Sequence, residues 1–177
     1  MRKEIILNGG WRFHKGDIAE PISQDKGFIY SQSKTERKLS GPAAYNYPDT
    51  PDSYGGGMIN PEKWVWTDLP HDYVVYQDNS ENENCALGYL HYDNAWYRKH
   101  FNMPEGSENR RALLRFDGIA GKSTVYLNGC LMYHNFSAYN TFEIDITDYV
   151  YYDKENVIAV YVNTEGSVSY THLTLPT

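Results

Sequence analysis

The sequence predicts an all-β sandwich, and three observations support this fold class. Phe142, Ile144 and Ile146 alternate with Glu143 and Asp145, and large aliphatic residues alternate with Ala159 and Tyr161 along 158–162. A period of two buries one face of a strand and leaves the other in water. Asn128-Gly129 separates two apolar runs, which is typical of a two-residue hairpin because both turn positions need a positive φ. Short strands about ten residues apart, with no helical period, are typical of a sandwich or barrel.

The predicted elements follow one another along the chain with short connections. A strand over 4–7 is followed by a turn at 8–10 and by a partner strand over 11–14. Strand character returns over 64–69 and ends at 70–73. The remaining predicted strands, which are rich in β-branched and aromatic residues, cover 95–101, 111–116, 122–127, 130–134, 141–146 and 156–163.

Residues 16–63 follow no period and are rich in proline, with three successive glycines at 55–57. This composition predicts a long loop insertion on the surface. A loop of this length often has a function or is mobile, and an ordered segment that wraps the sandwich is an equal alternative.

The domain prediction is one β-sandwich over 1–167 followed by a non-native tail over 168–177. The last ten residues resemble the translation of adapter DNA used in sequencing, and such scars are excluded from fold reasoning. A genuine final strand is the alternative, because Val168, Tyr170 and His172 alternate.

Composition and charge exclude several classes of function. The net charge of the 177 residues is −7, and no cluster of Lys and Arg occurs, so we expect no nucleic-acid partner, since backbone binding needs a positive stripe. No stretch approaches the length of a membrane span. The first residues are too short for a signal-peptide core, so the expected location is the cytoplasm, or the periplasm or exterior if the true start lies upstream.

The sequence predicts no metal site and no cofactor in this chain. Cys85 and Cys130 give no disulfide framework; they are two free thiols or a single pair. Neither has a second cysteine at metal-ligand spacing. Nucleotide-binding, nucleophile-elbow and zinc-protease motifs do not occur.

Six short motifs follow one another between residues 8 and 162: NGGWRF (8–13), LPHDY (69–73), AWYRK (95–99), LRFDGI with VYLNG (114–119, 125–129), YNTFEIDI (139–146) and NVIAVYV (156–162). In this order they resemble the amino-terminal domain of family 2 glycoside hydrolases, the β-galactosidase, β-glucuronidase and β-mannosidase group. Two positions depart from the family's pattern, since Tyr73 stands where the family has Trp and Ala138 where it usually has Gly.

The resemblance implies a jelly-roll, galactose-binding-like sandwich that precedes an immunoglobulin-like domain and a catalytic barrel. The parent would be a retaining, β-galactosidase-like hydrolase of β-glycosides in carbohydrate metabolism, with two glutamates about 5 Å apart in the barrel. The resemblance therefore implies no catalytic residue in this chain, and allows a divalent cation only in the full-length parent.

The family continues beyond the last strand seen here. We therefore expect the sandwich to lack its final strand and to leave an unpaired edge. The alternatives from other classes are a free-standing carbohydrate-binding module and an adhesion domain without sugar affinity.

Five polar residues are candidates for substrate binding. His71 and Asp72 are suited to a ligand or to a domain interface, although a local hydrogen-bond network that fixes a turn is the stronger alternative. Asp78, Asn79 and Asn82 lie in the loop before the AWYRK strand, which in family relatives can lean over the active-site mouth. Their side chains suit sugar hydroxyls, and a solvated acidic turn is the alternative.

Overall fold

Twelve strands and two 3₁₀ turns are found among the residues that the computed structural model describes, which are 3–18, 41–49, 54–55, 58–59, 64–83, 85, 88–164 and 173–174. The 3₁₀ turns cover Gly41–Ala43 and Val74–Tyr76. The strands are β1 (Trp11–Lys15), β2 (Tyr54–Gly55), β3 (Met58–Ile59), β4 (Val65–Thr67), β5 (Ala95–Phe101), β6 (Leu113–Phe116), β7 (Gly118–Ile119), β8 (Lys122–Leu127), β9 (Cys130–Asn135), β10 (Phe142–Asp145), β11 (Asn156–Asn163) and β12 (Leu173–Thr174).

The larger layer is a six-stranded antiparallel sheet in the order β4-β1-β5-β11-β8-β9. The strand β5 lies inside this sheet, and Arg98 pairs with Arg12 of β1 and with Ala159 of β11. The strands β5, β8 and β11 have the bounds predicted from the sequence. The central strands β5 and β11 are buried on both faces, between the core and a second apolar cluster. The described residues contain no α-helix.

The smaller layer is the antiparallel pair of β6 and β10, in which Phe116 pairs with Phe142 and Leu114 with Ile144. The inward side chains of both layers form one apolar core. Fully buried members of this core come from the two layers and their connection: Trp11, Phe116, Ile119, Val125, Leu127, Ile158 and Val160. Two β-layers around one core define a sandwich, and the predicted all-β fold class is confirmed.

The predicted hairpin at Asn128-Gly129 is confirmed. The two residues have φ values of 51° and 80°, and they join β8 to β9. Such positive values are typical of the primed turns that match the twist of antiparallel strands. The Asn128 side chain also enters a buried hydrogen-bond network with Asn156.

The predicted strand over 4–7 is wrong, because residues 3–8 carry no strand. Both edges of β1 are already paired, with β4 on one side and β5 on the other. No edge of β1 is therefore left for a hairpin with this segment. Instead, the Leu7 carbonyl accepts a hydrogen bond of 2.6 Å from the Trp11 indole.

Residues 41–49, which we call the strap, pack on the outer face of the six-stranded sheet. Ala43 and Tyr47 of the strap join a second apolar cluster with Trp64, Trp96 and Tyr126. This stretch of the predicted insertion is therefore an ordered segment that packs on the sandwich, which was the alternative to a mobile or functional loop. Residues 19–40, 50–53, 56–57 and 60–63 of the insertion lie outside the described residues.

Arg98 of β5 fastens the strap to the sheet. The side chain is fully buried, and its Nε lies 2.9 Å from Oδ2 of Asp49. The remaining guanidinium hydrogens are donated to backbone carbonyls of the strap, those of Pro42, Ala44, Tyr45 and Tyr47. The planar, five-donor guanidinium suits such a set of acceptors. Sequence reasoning placed Arg98 in a motif but gave it no role.

Asp49 receives a second partner from the sheet. Nε2 of His100 lies 2.8 Å from Asp49 Oδ2, and Nδ1 lies 2.7 Å from Glu155 Oε2. Burial by itself raises the pKa of the Asp49 carboxyl, but the hydrogen bond with His100 and the charge and hydrogen bond of Arg98 outweigh it and lower the pKa from 3.8 to about 2. The folded chain thus favours the ionised form.

We expect this low pKa to make the strap sensitive to acid. Since the folded pKa lies below the unfolded value, the contribution is complete above about pH 4 and is lost as the pH falls through about 2. Asp49 then accounts for about 2 kcal/mol of the free energy of unfolding. Urea unfolding of the wild type and of Asp49→Asn at pH 6 and pH 2 measures this contribution as the difference in free energy of unfolding between the two proteins. A difference between the two proteins that does not shrink in acid would contradict the assignment.

The tail is described only in part. Leu173–Thr174 pairs antiparallel with Gly118–Ile119, and 168–172 and 175–177 lie outside the described residues. The non-native origin of 168–177 stays a prediction.

Candidate functional site

His71 and Asp72 lie at the entrance to the second 3₁₀ turn and have structural partners. Oδ1 of Asp72 accepts a hydrogen bond of 3.0 Å from the Val74 N–H, which satisfies one of the donors that a helical turn leaves free. Nδ1 of His71 shares a hydrogen bond of 3.0 Å with the Tyr97 hydroxyl, and its ring meets Phe13 edge-on at 4.7 Å. These contacts agree with a network that fixes the turn.

Asp78, Asn79 and Asn82 lie on the loop between that turn and β5, and all three are exposed. The loop is closed by backbone hydrogen bonds: the Ser80 N–H donates to the Tyr89 carbonyl at 2.9 Å, and the Ser80 carbonyl accepts from Glu83 at 3.0 Å. The three side chains are therefore presented to solvent from a folded loop. Amide and carboxylate groups placed in this way offer both donors and acceptors to a polyhydroxylated ligand.

Exposed aromatic residues accompany these polar side chains. Tyr76 is 86% exposed at the end of the 3₁₀ turn, and Tyr89 is 45% exposed where the loop returns. Gly88 and Tyr89 both have positive φ, and this backbone reverses the chain at that point. Tyrosine provides a flat apolar face with a polar tip, which suits the face of a pyranose ring.

Sequence reasoning did not single out Tyr76. The run Val74-Val75-Tyr76 looks like a buried segment, but only Val74 is buried. The 3₁₀ turn has three residues per turn, so one residue in three faces the core. An apolar run directly after LPHDY and before an acidic loop was the available signal.

A chain of charged and polar side chains anchors the loop, which we define as residues 77–93. His91 bridges two carboxylates, with Nδ1 at 2.8 Å from Glu83 Oε1 and Nε2 at 2.8 Å from Asp93 Oδ1. Nζ of Lys15 lies 3.0 Å from Asp93 Oδ2 and donates to the Gln77 side chain at 2.7 Å. Gln77 donates in turn to the His91 carbonyl at 3.0 Å.

The anchor changes the protonation of His91. The hydrogen bonds to Asp93 and then to Glu83 raise the pKa of the imidazole above its ordinary value of 6.5. Each carboxylate favours the charged form of the ring. Sequence reasoning did not find these residues, because a histidine eight positions after one acid and two before another carries no local signature.

Two histidines each join a pair of carboxylates. Two pairs of carboxylates approach each other through a shared histidine, Glu83 with Asp93 and Asp49 with Glu155. Glycoside hydrolysis instead needs two carboxyls that face the scissile bond. Among the described residues, no group of three or more His, Cys, Asp or Glu side chains is placed to hold a metal ion. Those residues also include no helix with the length and hydrophobicity needed to traverse a bilayer.

The antiparallel β-sandwich is the fold of a galactose-binding-like domain. Residues 62–170 match the family described as Glycosyl hydrolase 2 galactose-binding domain-like. The chain belongs to this family, and the resemblance seen in the six motifs is confirmed.

Curated relatives with matching sequences are much longer than this chain. The β-galactosidase BoGH2A of Bacteroides ovatus is 32% identical over 164 residues, which cover 92% of this chain and 15% of that protein. A β-glucuronidase of Formosa agariphila is 28% identical over 109 residues, which cover 60% of this chain and 11% of that protein. The chain thus spans a small fraction of the curated relatives it matches.

Solved structures give the same fold. A β-glycosidase from Bacteroides vulgatus superposes with a TM-score of 0.66 at 24% identity, over 94% of this chain and 18% of that one. A family 2 glycosyl hydrolase from Bacteroides cellulosilyticus superposes with a TM-score of 0.59 at 27% identity, over 94% of this chain and 19% of that one.

Proposed function

We propose that this chain is the non-catalytic amino-terminal sandwich of a retaining β-glycoside hydrolase, over residues 1–167. Support comes from its family and from its similarity to relatives named β-galactosidase and β-glucuronidase. Its partners would be the immunoglobulin-like and barrel domains of the parent, and the barrel would supply both catalytic glutamates. In this proposal the chain by itself does not hydrolyse sugars.

We infer that the loop is the part of the chain that contacts carbohydrate. The observation that carries this is the exposure of Asn79 and Asn82 on a loop that is itself anchored, with the exposed Tyr76 directly before it. A fixed loop loses less conformational entropy on binding than a mobile one. Asp78 and Tyr89 would extend the same surface. His71 and Asp72 would act indirectly, by holding the turn from which the loop starts.

The test combines an activity assay with a binding map. Nitrophenyl β-galactoside and β-glucuronide are expected to show no turnover with the purified chain. In ¹⁵N-labelled protein, galactose and glucuronate are expected to shift amide signals of 75–91. Asn82→Ala is expected to weaken this binding about fivefold, as for one lost hydrogen bond. Asn140→Ala, on an exposed connection elsewhere, is the matched control.

Other outcomes decide between the proposal and its alternatives. Turnover by the purified chain would contradict its non-catalytic role. Sugar-induced shifts confined to another surface, or equal weakening by the control, would remove the loop from the proposal. The exposed Tyr76 and Tyr89 rings also favour a free-standing carbohydrate-binding module, and a dissociation constant below about 1 mM for the isolated chain would support it.

A further inference from the structure

The two carboxylate contacts of His91 require a particular protonation state. A neutral imidazole carries one N–H, so it donates through one nitrogen and accepts through the other. Here both nitrogens lie 2.8 Å from a carboxylate oxygen, and a carboxylate has no proton to donate. Only the imidazolium satisfies both contacts. In the neutral ring, one nitrogen lone pair would face a carboxylate oxygen and repel it.

The charges around His91 come from three parts of the fold. Glu83 lies in the outer part of the loop, Asp93 is the last residue of the loop and stands two residues before β5, and Lys15 is the last residue of β1. The Tyr73 hydroxyl donates to the Asp93 carbonyl, and its ring lies under Lys15 at 5.6 Å. With His91 charged, two cations balance two carboxylates. With His91 neutral, one negative charge is left in excess.

The contacts of His91 with Glu83 and Asp93 connect the outer part of the loop with the strands of the sandwich. Glu83 directly follows Asn82, whereas Asp93 and Lys15 are tied to β5 and β1. We propose that His91 is a pH-sensitive latch, which in its charged form fastens the Asn79–Glu83 side of the loop to the sheet and in its neutral form releases it. The expected weakening of sugar binding at high pH rests on the proposed function, whereas the latch itself does not.

The direction of the pH effect follows from the raised pKa of His91. A group whose folded pKa lies above its unfolded value contributes fully below the unfolded value. The latch is therefore closed below about pH 6.5 and opens as the pH rises through the higher folded value. Because the His91 side chain is 55% exposed, solvent screens the interaction, and we expect local opening of the loop without global unfolding.

Hydrogen–deuterium exchange at pH 6 and pH 9, corrected for intrinsic rates, measures this opening. The protection of the Ser80 and Glu83 amides is expected to fall about three- to fivefold at the higher pH, as for the loss of an exposed ion pair. His91→Gln is expected to remove the pH dependence, because glutamine does not titrate in this range. His134→Gln is the matched control: His134 is exposed on β9 and contacts Thr124.

An NMR titration of the His91 ring gives a second measurement that does not depend on loop exchange. Glu83→Gln is expected to lower the pKa of His91 towards its ordinary value. Loop protection that does not change with pH, or a pH dependence that persists in His91→Gln, would overturn the latch. Loss of the pH dependence in His134→Gln would do the same. If the exchange behaves as expected but sugar shifts do not weaken at pH 9, the latch stands and the sugar role of the loop fails.

Discussion

The Arg98→Met variant is expected to lose about 3–5 kcal/mol of its free energy of unfolding, because the change removes one partner of a buried ion pair. Asp49 would remain buried without its main cation, and its pKa would rise because Arg98 supplies part of the lowering. Backbone carbonyls of the strap would also lose their donor, and buried acceptors without a partner are costly. Arg98→Lys is expected to recover little of the loss, because an ammonium group cannot reproduce the planar fork.

Urea unfolding followed by circular dichroism measures this loss, with Arg111→Met as the matched control. Arg111 makes a similar ion pair, with Asp145 at 2.8 Å, but its side chain is 71% exposed. Removal of an exposed pair is expected to change the free energy of unfolding by less than about 1 kcal/mol. Similar losses in the two variants would show that the buried network does not hold the strap.

The second large effect is expected for Asn156→Ala, with a loss of about 2–4 kcal/mol, since buried groups lose their partners. Asn156 is fully buried. Its Oδ1 accepts from the Tyr151 N–H at 2.7 Å and from Asn128 Nδ2 at 2.8 Å, and its Nδ2 donates to the Tyr151 carbonyl at 2.8 Å. Asn128 in turn accepts from the Val157 N–H at 2.9 Å. The network joins the β8–β9 turn to the start of β11.

The same unfolding experiment tests this network. Asn109→Ala, at an exposed position outside the strands, is expected to change stability by less than about 0.5 kcal/mol. In a double-mutant cycle, the losses from Asn128→Ala and Asn156→Ala are expected to fall short of additivity, because the residues share partners. Additive losses would mean that the two asparagines act independently.

Local composition was sufficient for the strands that are rich in β-branched and aromatic residues. The strands β5, β8 and β11 and the hairpin at Asn128-Gly129 were predicted with their correct positions. The segment over 4–7 has the same local composition as a strand, and it is not one because the edges of β1 are occupied. Pairing is a property of the whole sheet, so composition alone could not reveal this.

The residues of the candidate site were also predicted only in part. Asp78, Asn79 and Asn82 were predicted from residue type, and the structure places them on an exposed loop, although their contact with sugar stays a prediction. The aromatic neighbour Tyr76 and the bridging residue His91 were not found. Their roles depend on a 3₁₀ turn and on the folding of the loop back on itself.

The sequence by itself determined the fold class, the positions of most strands and the family, because alternation, turn chemistry and motif order are properties of neighbouring residues. The tertiary structure alone decided that Arg98 holds the strap and that His91 joins Glu83 to Asp93. Arg98 and Asp49 are separated by 49 positions in the chain. The packing of the layers decides which distant group becomes the partner of a buried donor or charge. The local sequence pattern does not contain this information.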